Sequence, residues 1–461
     1  MGDYGIISVL PVITILVVAV STRRTLFAMV CGLSVGALIL AGGVTGFMST
    51  WLNYLYVSMT NETLQWLILV IVMFGMLIML FERSGAVLDF GKWAGKYIKT
   101  KKQALMGTFL LGVIIFLDDY LNNLAVATTM KGITDKMKIP RTQLGYVVNS
   151  VAAPVCILIP LSSWAVFFGA LLENEGIVGA DGTGIGAYIS ALPFVFYGWL
   201  AIGVVLLQIF GVIPKLGATK RDTLRAEATG DVFPLGTDLS LIHTAGNNED
   251  NIEDDGKALP IAFLIPLLVM IAVTLLTGVD VLMGAISGVV VAILLYAFTK
   301  RLNIKELLTS CFDGVISMGF VLVLSVLAFA VQAANTDLML AEFVISVTVP
   351  IMKGAFLPAV VFIVCAVYAY TTGCFWDLAA IILPIVVPLA VAMGVDPILA
   401  SAAVFSGAAF GSNTCLYGDG VILCSQGCQI KAVELMIATL PYALIAGGGS
   451  VVLYLIAGFM M

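Results

Sequence analysis

Long apolar runs constrain the fold of this chain more than any other feature. A helix needs about 17–25 apolar residues to cross a bilayer. The candidate spans are 5–21, 25–41, 64–81, 144–172, 187–213, 258–277, 279–299, 315–334, 398–417 and 432–459. Hydrophobic residues make up 61% of the chain and charged residues 11%, whereas soluble domains carry about 45–50% and about 25%. The sequence therefore predicts an all-α polytopic membrane protein and excludes a soluble enzyme.

The remaining composition excludes further classes of function. The net charge of −6 offers no basic face for nucleic acid. The only histidine, His243, lies in a polar stretch, which argues against a zinc site or a Ser–His hydrolase. No phosphate-binding loop is present, so we expect no ATP and no organic cofactor, and transport driven by an ion gradient.

Two further apolar segments, 104–130 and 361–387, are interrupted near their centres. The first is broken at Asp118-Asp119 and the second at Thr371-Thr372-Gly373. We interpret both as re-entrant hairpins. With this choice, all of the 22 Lys and Arg residues except Lys353 fall on one face, which the positive-inside rule makes cytoplasmic.

The hydropathy pattern repeats after a shift of 257 residues. The repeat predicts a first membrane unit at 1–213, a cytoplasmic polar linker at 214–257 and a second unit at 258–461. Each unit has five spans, an odd number, so the second is inverted relative to the first. Inverted repeats with broken helices in matching places are typical of secondary transporters, whose site lies near the midplane.

Three carboxylates at the hairpin tips are the strongest candidates for ion binding. Asp118, Asp119 and Asp377 lie at membrane depth, where a charge is costly and needs a function. Carboxylate oxygens suit Na⁺, and two adjacent carboxylates can share a proton. The structural alternative is that these residues only cap the returning half-helices, with Thr371 and Thr372 available as caps in the second hairpin.

The span after each hairpin, 144–172 and 398–417, is also irregular. The first contains Asn149-Ser150 and two prolines, and the second contains the run Gly411-Ser412-Asn413-Thr414. Such breaks are tolerated where backbone lines a cavity. We expect Asn149 and Asn413 to face that cavity, whereas packing of small residues is the alternative.

These residues resemble a known family. The block FLDDYLNNLAVATTMKGITDKMKIPRTQLGYVVNSVAAPVCILIPLSSW is similar to the core of the NhaC family of sodium/proton antiporters, as are TTGCFWDLAAIILPIVVPLA and SGAAFGSNTCLYGD. The motif positions carried over are Asp118, Asp119, Asn122, Asn149, Ser150, Asp377, Ser412, Asn413 and Thr414. The resemblance implies an inverted-repeat transporter with two hairpins, elevator-type alternating access and a homodimer.

Two functions stay open at this stage. The first is Na⁺/H⁺ antiport, in which Asp118 or Asp119 alternately binds Na⁺ or H⁺ and Asp377 completes the site. The second keeps the ion site but couples it to a small amino acid or carboxylate held by Asn149, Thr372 and Asn413. We expect a prokaryotic inner membrane in both cases.

Overall fold

The computed structural model describes residues 4–22, 24–234, 260–278, 280–373, 375–416 and 418–460. The described chain is helical. The helices of the first part are α1 (Leu10–Thr22), α2 (Thr25–Leu40), α3 (Phe47–Met59), α4 (Glu62–Arg83), α5 (Ala86–Gly95), α6 (Lys101–Ile114), α7 (Asp119–Lys136), α8 (Arg141–Leu158), α9 (Ser163–Asn174), α10 (Gly184–Ala191), α11 (Phe196–Phe210) and α12 (Gly217–Thr229).

The second part continues with α13 (Ile261–Leu276), α14 (Val281–Phe298), α15 (Ile304–Ser317), α16 (Gly319–Asp337), α17 (Leu340–Thr348), α18 (Leu357–Thr372), α19 (Trp376–Ala392), α20 (Pro397–Thr414), α21 (Asp419–Cys428) and α22 (Ala432–Met460). Short 3₁₀ turns occupy Gly5–Val9, Val44–Gly46, Leu192–Phe194 and Gly354–Phe356. Within the described ranges, six helices are long and apolar enough to cross a membrane, or up to nine spans if each bent pair is one span. The chain is therefore an integral membrane protein.

The helix order repeats along the chain. Helices α1 to α9 correspond in order to α13 to α21, and α7 and α19 begin at Asp119 and Trp376, which are 257 residues apart. The apolar pattern therefore predicted the repeat correctly. The apolar pattern did not reveal α3 and its counterpart α15 as separate helices. The exposed large apolar side chains of α15 lie on one stripe of the helix, so α15 does not form a continuous apolar run in the sequence.

Helices α6 and α7 form a hairpin whose turn is residues 115–118. The Asn122 side-chain amide donates to the carbonyl oxygens of Gly112 (2.6 Å) and Ile115 (2.8 Å), which ties the start of α7 to the end of α6. Helices α18 and α19 form the equivalent pair, because Gly354, before α18, lies against Met393, after α19. Both interruptions predicted from the sequence are thus turns between packed antiparallel helices.

The first part of the predicted polar linker is structured. Helix α12 docks on neighbouring helix ends through Thr142–Asp222 (3.0 Å) and Thr219–Tyr442 (2.9 Å) hydrogen bonds. The remaining linker residues, 235–257, lie outside the described residues. The predicted polar linker therefore contains one helix at 217–229, whose polar side chains are paired with the buried hydroxyl groups of Thr142 on α8 and Tyr442 on α22.

Seven ion pairs in the described ranges share one end of the molecule, which we call the basic face. They include Arg83–Asp313, Lys101–Glu227 (3.2 Å), Arg141–Asp135 (2.8 Å) and Arg301–Asp89. Both ends of the α6–α7 hairpin reach this face, since Lys101 pairs with α12 and Arg141 follows α7. We call the other end, marked by Asn61, Glu173 and Asp337, the opposite face.

Candidate functional site

Four helices begin in one buried region between the two repeats. Their first residues are Asp119 (α7), Ser163 (α9), Trp376 (α19) and Asp419 (α21). The Trp164 and Trp376 rings pack at an angle of 51° with centroids 5.3 Å apart, and the Tyr120 hydroxyl donates to Asp419 (3.1 Å). Helix N-termini carry partial positive charge, so this arrangement stabilises buried carboxylates.

Asp118 is the N-cap of α7. One carboxylate oxygen accepts from the backbone N–H groups of Tyr120 (2.9 Å) and Leu121 (3.4 Å), and the other accepts from the Ser163 hydroxyl (2.8 Å). Both oxygens therefore have partners. The capping alternative considered above accounts well for the contacts of this residue.

Asp119 differs from Asp118 because only one of its two carboxylate oxygens accepts a hydrogen bond in the described structure. Its Oδ1 accepts from the Trp164 indole N–H (2.8 Å), whereas Oδ2 is buried with no hydrogen-bond partner in the described structure. The residue is fully buried. An unsatisfied buried carboxylate oxygen is costly, so Oδ2 is suited to receive either a proton or a cation.

Other polar atoms surround this free oxygen at Gly420. A Cβ placed on Gly420 would lie 3.1 Å from Asn123 Nδ2, 3.4 Å from Ser412 Oγ and 3.8 Å from Asp119 Oδ2. The Asn123 Oδ1 atom is also buried, with no hydrogen-bond partner among the described residues. Carboxylate, hydroxyl and side-chain amide oxygens are the ligands that hard cations prefer, and the side chains of Asp119, Ser412 and Asn123 all lie next to Gly420.

The ligand set fits an alkali cation better than a transition metal. Within the described ranges, no group of three or more His, Cys, Asp or Glu residues could hold a metal ion. A single carboxylate with amide and hydroxyl oxygens matches hard, weakly bound cations, whereas zinc and iron favour His and Cys. The region around Asp119 and Gly420, with Asn123 and Ser412, is called the central site below.

A second polar contact joins the two broken spans beside the central site. The Asn149 amide of α8 donates to the Asn413 carbonyl of α20 (2.8 Å) and to the Thr439 hydroxyl (3.4 Å). The Asn413 amide donates to the Tyr197 hydroxyl (3.2 Å), while its own Oδ1 is buried and accepts no hydrogen bond from the part of the chain that the structure describes. Pro154 lacks an N–H and leaves the Ser150 carbonyl without its helical partner.

The tip of the second hairpin packs on the first repeat through aromatic rings. Phe375 stacks on Trp164 with ring centroids 5.3 Å apart. Asp377 is buried in the first turn of α19, and the buried Thr372 hydroxyl donates to Tyr368 O (2.8 Å). Trp164 therefore contacts both Asp119 and the second hairpin, and it mechanically connects the two tips.

Three predicted site residues lie elsewhere or serve the backbone. Thr371 is exposed and donates to carbonyls of its own helix, because one residue of helix turns it about 100° away from Thr372. Asn122 braces the hairpin turn, so Asn123, not Asn122, faces the central site. Thr414 donates to the carbonyl of Phe410 (2.6 Å).

Sequence reasoning missed Ser163, Trp164 and Gly420, and it left open which of Asn122 and Asn123 faces the site. The signal for the first two was available in the run Ser162-Ser163-Trp164, which follows the break in α8–α9 and corresponds by the repeat to the start of α21. Gly420 carries no chemical signal of its own. Its role is visible only from the atoms that a side chain there would meet.

A cavity connects the hairpin to the basic face. It has a volume of about 380 Å³ and its lining includes Asp118 and Tyr120 at one end and Glu82 and Gly85 at the other. Glu82 is exposed, whereas Asp118 is buried. The cavity therefore extends from the basic face to Asp118 and Tyr120, the two residues that flank Asp119 in the chain.

Comparisons with known proteins agree on a transport family and fold. A family model described as the Na⁺/H⁺ antiporter family matches residues 155–459. An uncharacterized protein of Haemophilus influenzae is 24% identical over 483 aligned positions, which cover 98% of this chain and 91% of that protein.

Two solved transporters share the fold. The Alcanivorax borkumensis YdaH transporter, described as having an unusual topology, superposes with a TM-score of 0.55 at 15% identity and 84% coverage of each chain. MtrF of Neisseria gonorrhoeae, described as representing a class of antimetabolite efflux pumps, gives a TM-score of 0.59 at 13% identity, covering 91% of this chain and 85% of that one. At these identities the likeness establishes the architecture alone.

Proposed function

The chain belongs to the Na⁺/H⁺ antiporter family, and on that premise we propose that it is a secondary active transporter that exchanges Na⁺ for H⁺ at the central site. Asp119 is the proposed exchanging group. Its Oδ2 binds Na⁺ together with Asn123 and Ser412, or a proton in its place. Asp377, on the second hairpin, balances the positive charge of the bound cation, and Asp118 caps α7 and holds it in position.

The unpartnered buried Oδ2 of Asp119 carries this proposal. A carboxylate that was purely structural would have both oxygens satisfied, as Asp118 does. A site that alternates between two small cations needs one oxygen available to each in turn. Gly420 adds no side chain beside Asp119, Asn123 and Ser412, so it leaves more room for a dehydrated Na⁺ than any other residue would.

Alternating access is proposed to occur by movement of the hairpins as a unit. The Trp164 contacts link the two tips, so both would move together with α9. The cavity from Asp118 to Glu82 represents the conformation open to the basic face, which we propose to be cytoplasmic on the positive-inside rule. The residue boundaries of the repeats, a homodimeric assembly and an inner-membrane location remain part of this proposal.

An organic substrate is the second candidate. The observation that favours it is the buried Asn413 Oδ1, which has no partner within the described ranges and belongs to the residue next to Ser412 of the central site. MtrF, which shares the fold, is described as an antimetabolite efflux pump. In this version Asn149, Thr372 and Asn413 hold a small amino acid or carboxylate, and Na⁺ or H⁺ supplies the energy.

Purified protein in proteoliposomes with an internal pH dye distinguishes the two functions. A Na⁺ gradient is imposed first without organic solute and then with a panel of amino acids and small carboxylates. Proton movement driven by Na⁺ alone supports antiport. If the dye responds only when one organic solute is present, the Na⁺/H⁺ exchange proposal is wrong and that solute is the cargo.

A further inference from the structure

A cavity at the opposite face brings together several side-chain oxygen atoms, of which Asn335 Oδ1 has no hydrogen-bond partner in the described structure. It has a volume of about 300 Å³ and lies between α9, α16, α17 and α19. Its polar lining is Glu175, Asn335, Thr336 and Glu342, together with Pro384 and Pro388 of α19. This cavity, the opposite-face cavity, is separate from the central site.

Asn335 provides an unsatisfied ligand there. The residue is 4% exposed, and its Oδ1 is buried with no hydrogen-bond partner in the described structure. A buried amide oxygen that accepts no hydrogen bond has lost its contacts with water without gaining a compensating interaction. It is therefore suited to a ligand that presents positive charge.

Glu175 lies at the end of α9 and has spare acceptor capacity. It accepts a hydrogen bond from the Gln332 side chain through Oε1. No Lys or Arg within the described ranges pairs with it. Glu175 also follows the last turn of α9, where the partial negative charge of the helix C-terminus favours a cation over an anion.

Two prolines in α19 add a backbone oxygen. Pro388 has no N–H, so the carbonyl of Pro384 lacks its usual partner one turn later in the helix. Both prolines line the cavity. A free carbonyl, a carboxylate and an amide oxygen form the all-oxygen set that hard cations such as Na⁺ prefer.

From these four observations we infer that the opposite-face cavity is a second Na⁺ site, with Glu175 and Asn335 as its principal ligands. Helix α9 has 12 residues and spans about 18 Å, with Trp164 near its start and Glu175 just after its end. The second site therefore lies at the far end of the helix that contacts Asp119. If the proposed function holds, this second site lies on the face to which the central site would open in the opposite conformation.

Equilibrium binding of ²²Na⁺ to the purified full-length protein tests this inference. The wild type is expected to bind two Na⁺ per chain. Glu175→Gln is expected to bind one, since a lost ligand weakens affinity by at least about tenfold. Asp119→Asn is also expected to bind one, and the double variant none. Thermal melting confirms that each variant is folded.

Two matched comparisons separate a lost ligand from a disturbed fold. Asn335→Asp keeps a ligand oxygen and is expected to bind two Na⁺, whereas Asn335→Leu is expected to bind one. Glu173→Gln makes the same chemical change nearby, at a carboxylate whose oxygens already accept from Thr63 (3.0 Å) and the Gly184 N–H (2.8 Å). It is expected to leave the count at two.

The inference and the proposed function fail in different ways. If Glu175→Gln and Asn335→Leu bind as much Na⁺ as the wild type, the second site does not exist, whatever Asp119→Asn does. If Asp119→Asn binds as much as the wild type while Glu175→Gln loses one ion, the opposite-face site stands and the central Na⁺ site is wrong.

Discussion

The adjacent carboxylates at the first hairpin tip should respond very differently to the same substitution. Asp119→Asn removes a negative charge whose Oδ2 has no partner, whereas Asp118→Asn changes a carboxylate whose two oxygens both accept hydrogen bonds. Asn is as good an N-cap as Asp. We therefore expect Asp119→Asn to abolish Na⁺-dependent exchange and Asp118→Asn to retain most of it.

The size of the expected effect follows from the geometry. A Na⁺ ion about 2.5 Å from a carboxylate oxygen gains about 7 kcal/mol at an effective dielectric constant of about 20. Dehydration of both charges offsets roughly half of this attraction. A net loss of about 3 kcal/mol corresponds to a rise of about 150-fold in the Kd for Na⁺, which raises the KM for Na⁺ by a similar factor when binding equilibrates before transport.

The fold should survive the Asp119→Asn substitution. The amide oxygen of Asn can still accept the Trp164 indole N–H, and its NH₂ group replaces the oxygen that has no partner. The assay is Na⁺-driven proton movement in proteoliposomes at a series of Na⁺ concentrations, with melting temperatures measured in parallel. Equal loss of exchange in both variants, or normal exchange by Asp119→Asn, would refute the distinction between cap and ion ligand.

Three further substitutions test separate parts of the site. Trp164→Phe keeps an aromatic ring but removes the indole hydrogen bond to the Asp119 carboxylate. Because a hydrogen bond to a charged group is worth about 1.5–3 kcal/mol, the KM for Na⁺ should change at least several-fold. An unchanged KM would show that this hydrogen bond does not position the carboxylate. Gly420→Ala places a methyl group 3.1 Å from Asn123 Nδ2, so the Asn123 side chain must shift, and Na⁺ binding should weaken in the same assay. Full affinity would exclude Na⁺ from that space. Thr371→Val should exchange Na⁺ for H⁺ at the wild-type rate, because the Thr371 hydroxyl donates to carbonyl oxygens of its own helix. A large loss of rate would show that Thr371 takes part in the site.

Several features could be predicted from the chain alone because they depend on local chemistry. Apolar runs of bilayer length must become helices, since unpaired backbone groups are too costly in lipid. The repeat followed from the spacing of these runs, and the two hairpin turns followed from polar residues within apolar segments. Asp118, Asp119 and Asp377 stood out because charges at membrane depth are rare. All three are buried as expected.

Only the tertiary structure separated the roles of these residues. The sequence presents Asp118 and Asp119 as an equivalent pair, and likewise Asn122 and Asn123, because a difference of one position carries no chemical signal. A helix turns by about 100° per residue, so one Asp caps α7 while the other faces Gly420, about 300 residues away in sequence. Which atoms are left without partners depends on contacts between distant helices, and a pattern along one chain does not contain that information.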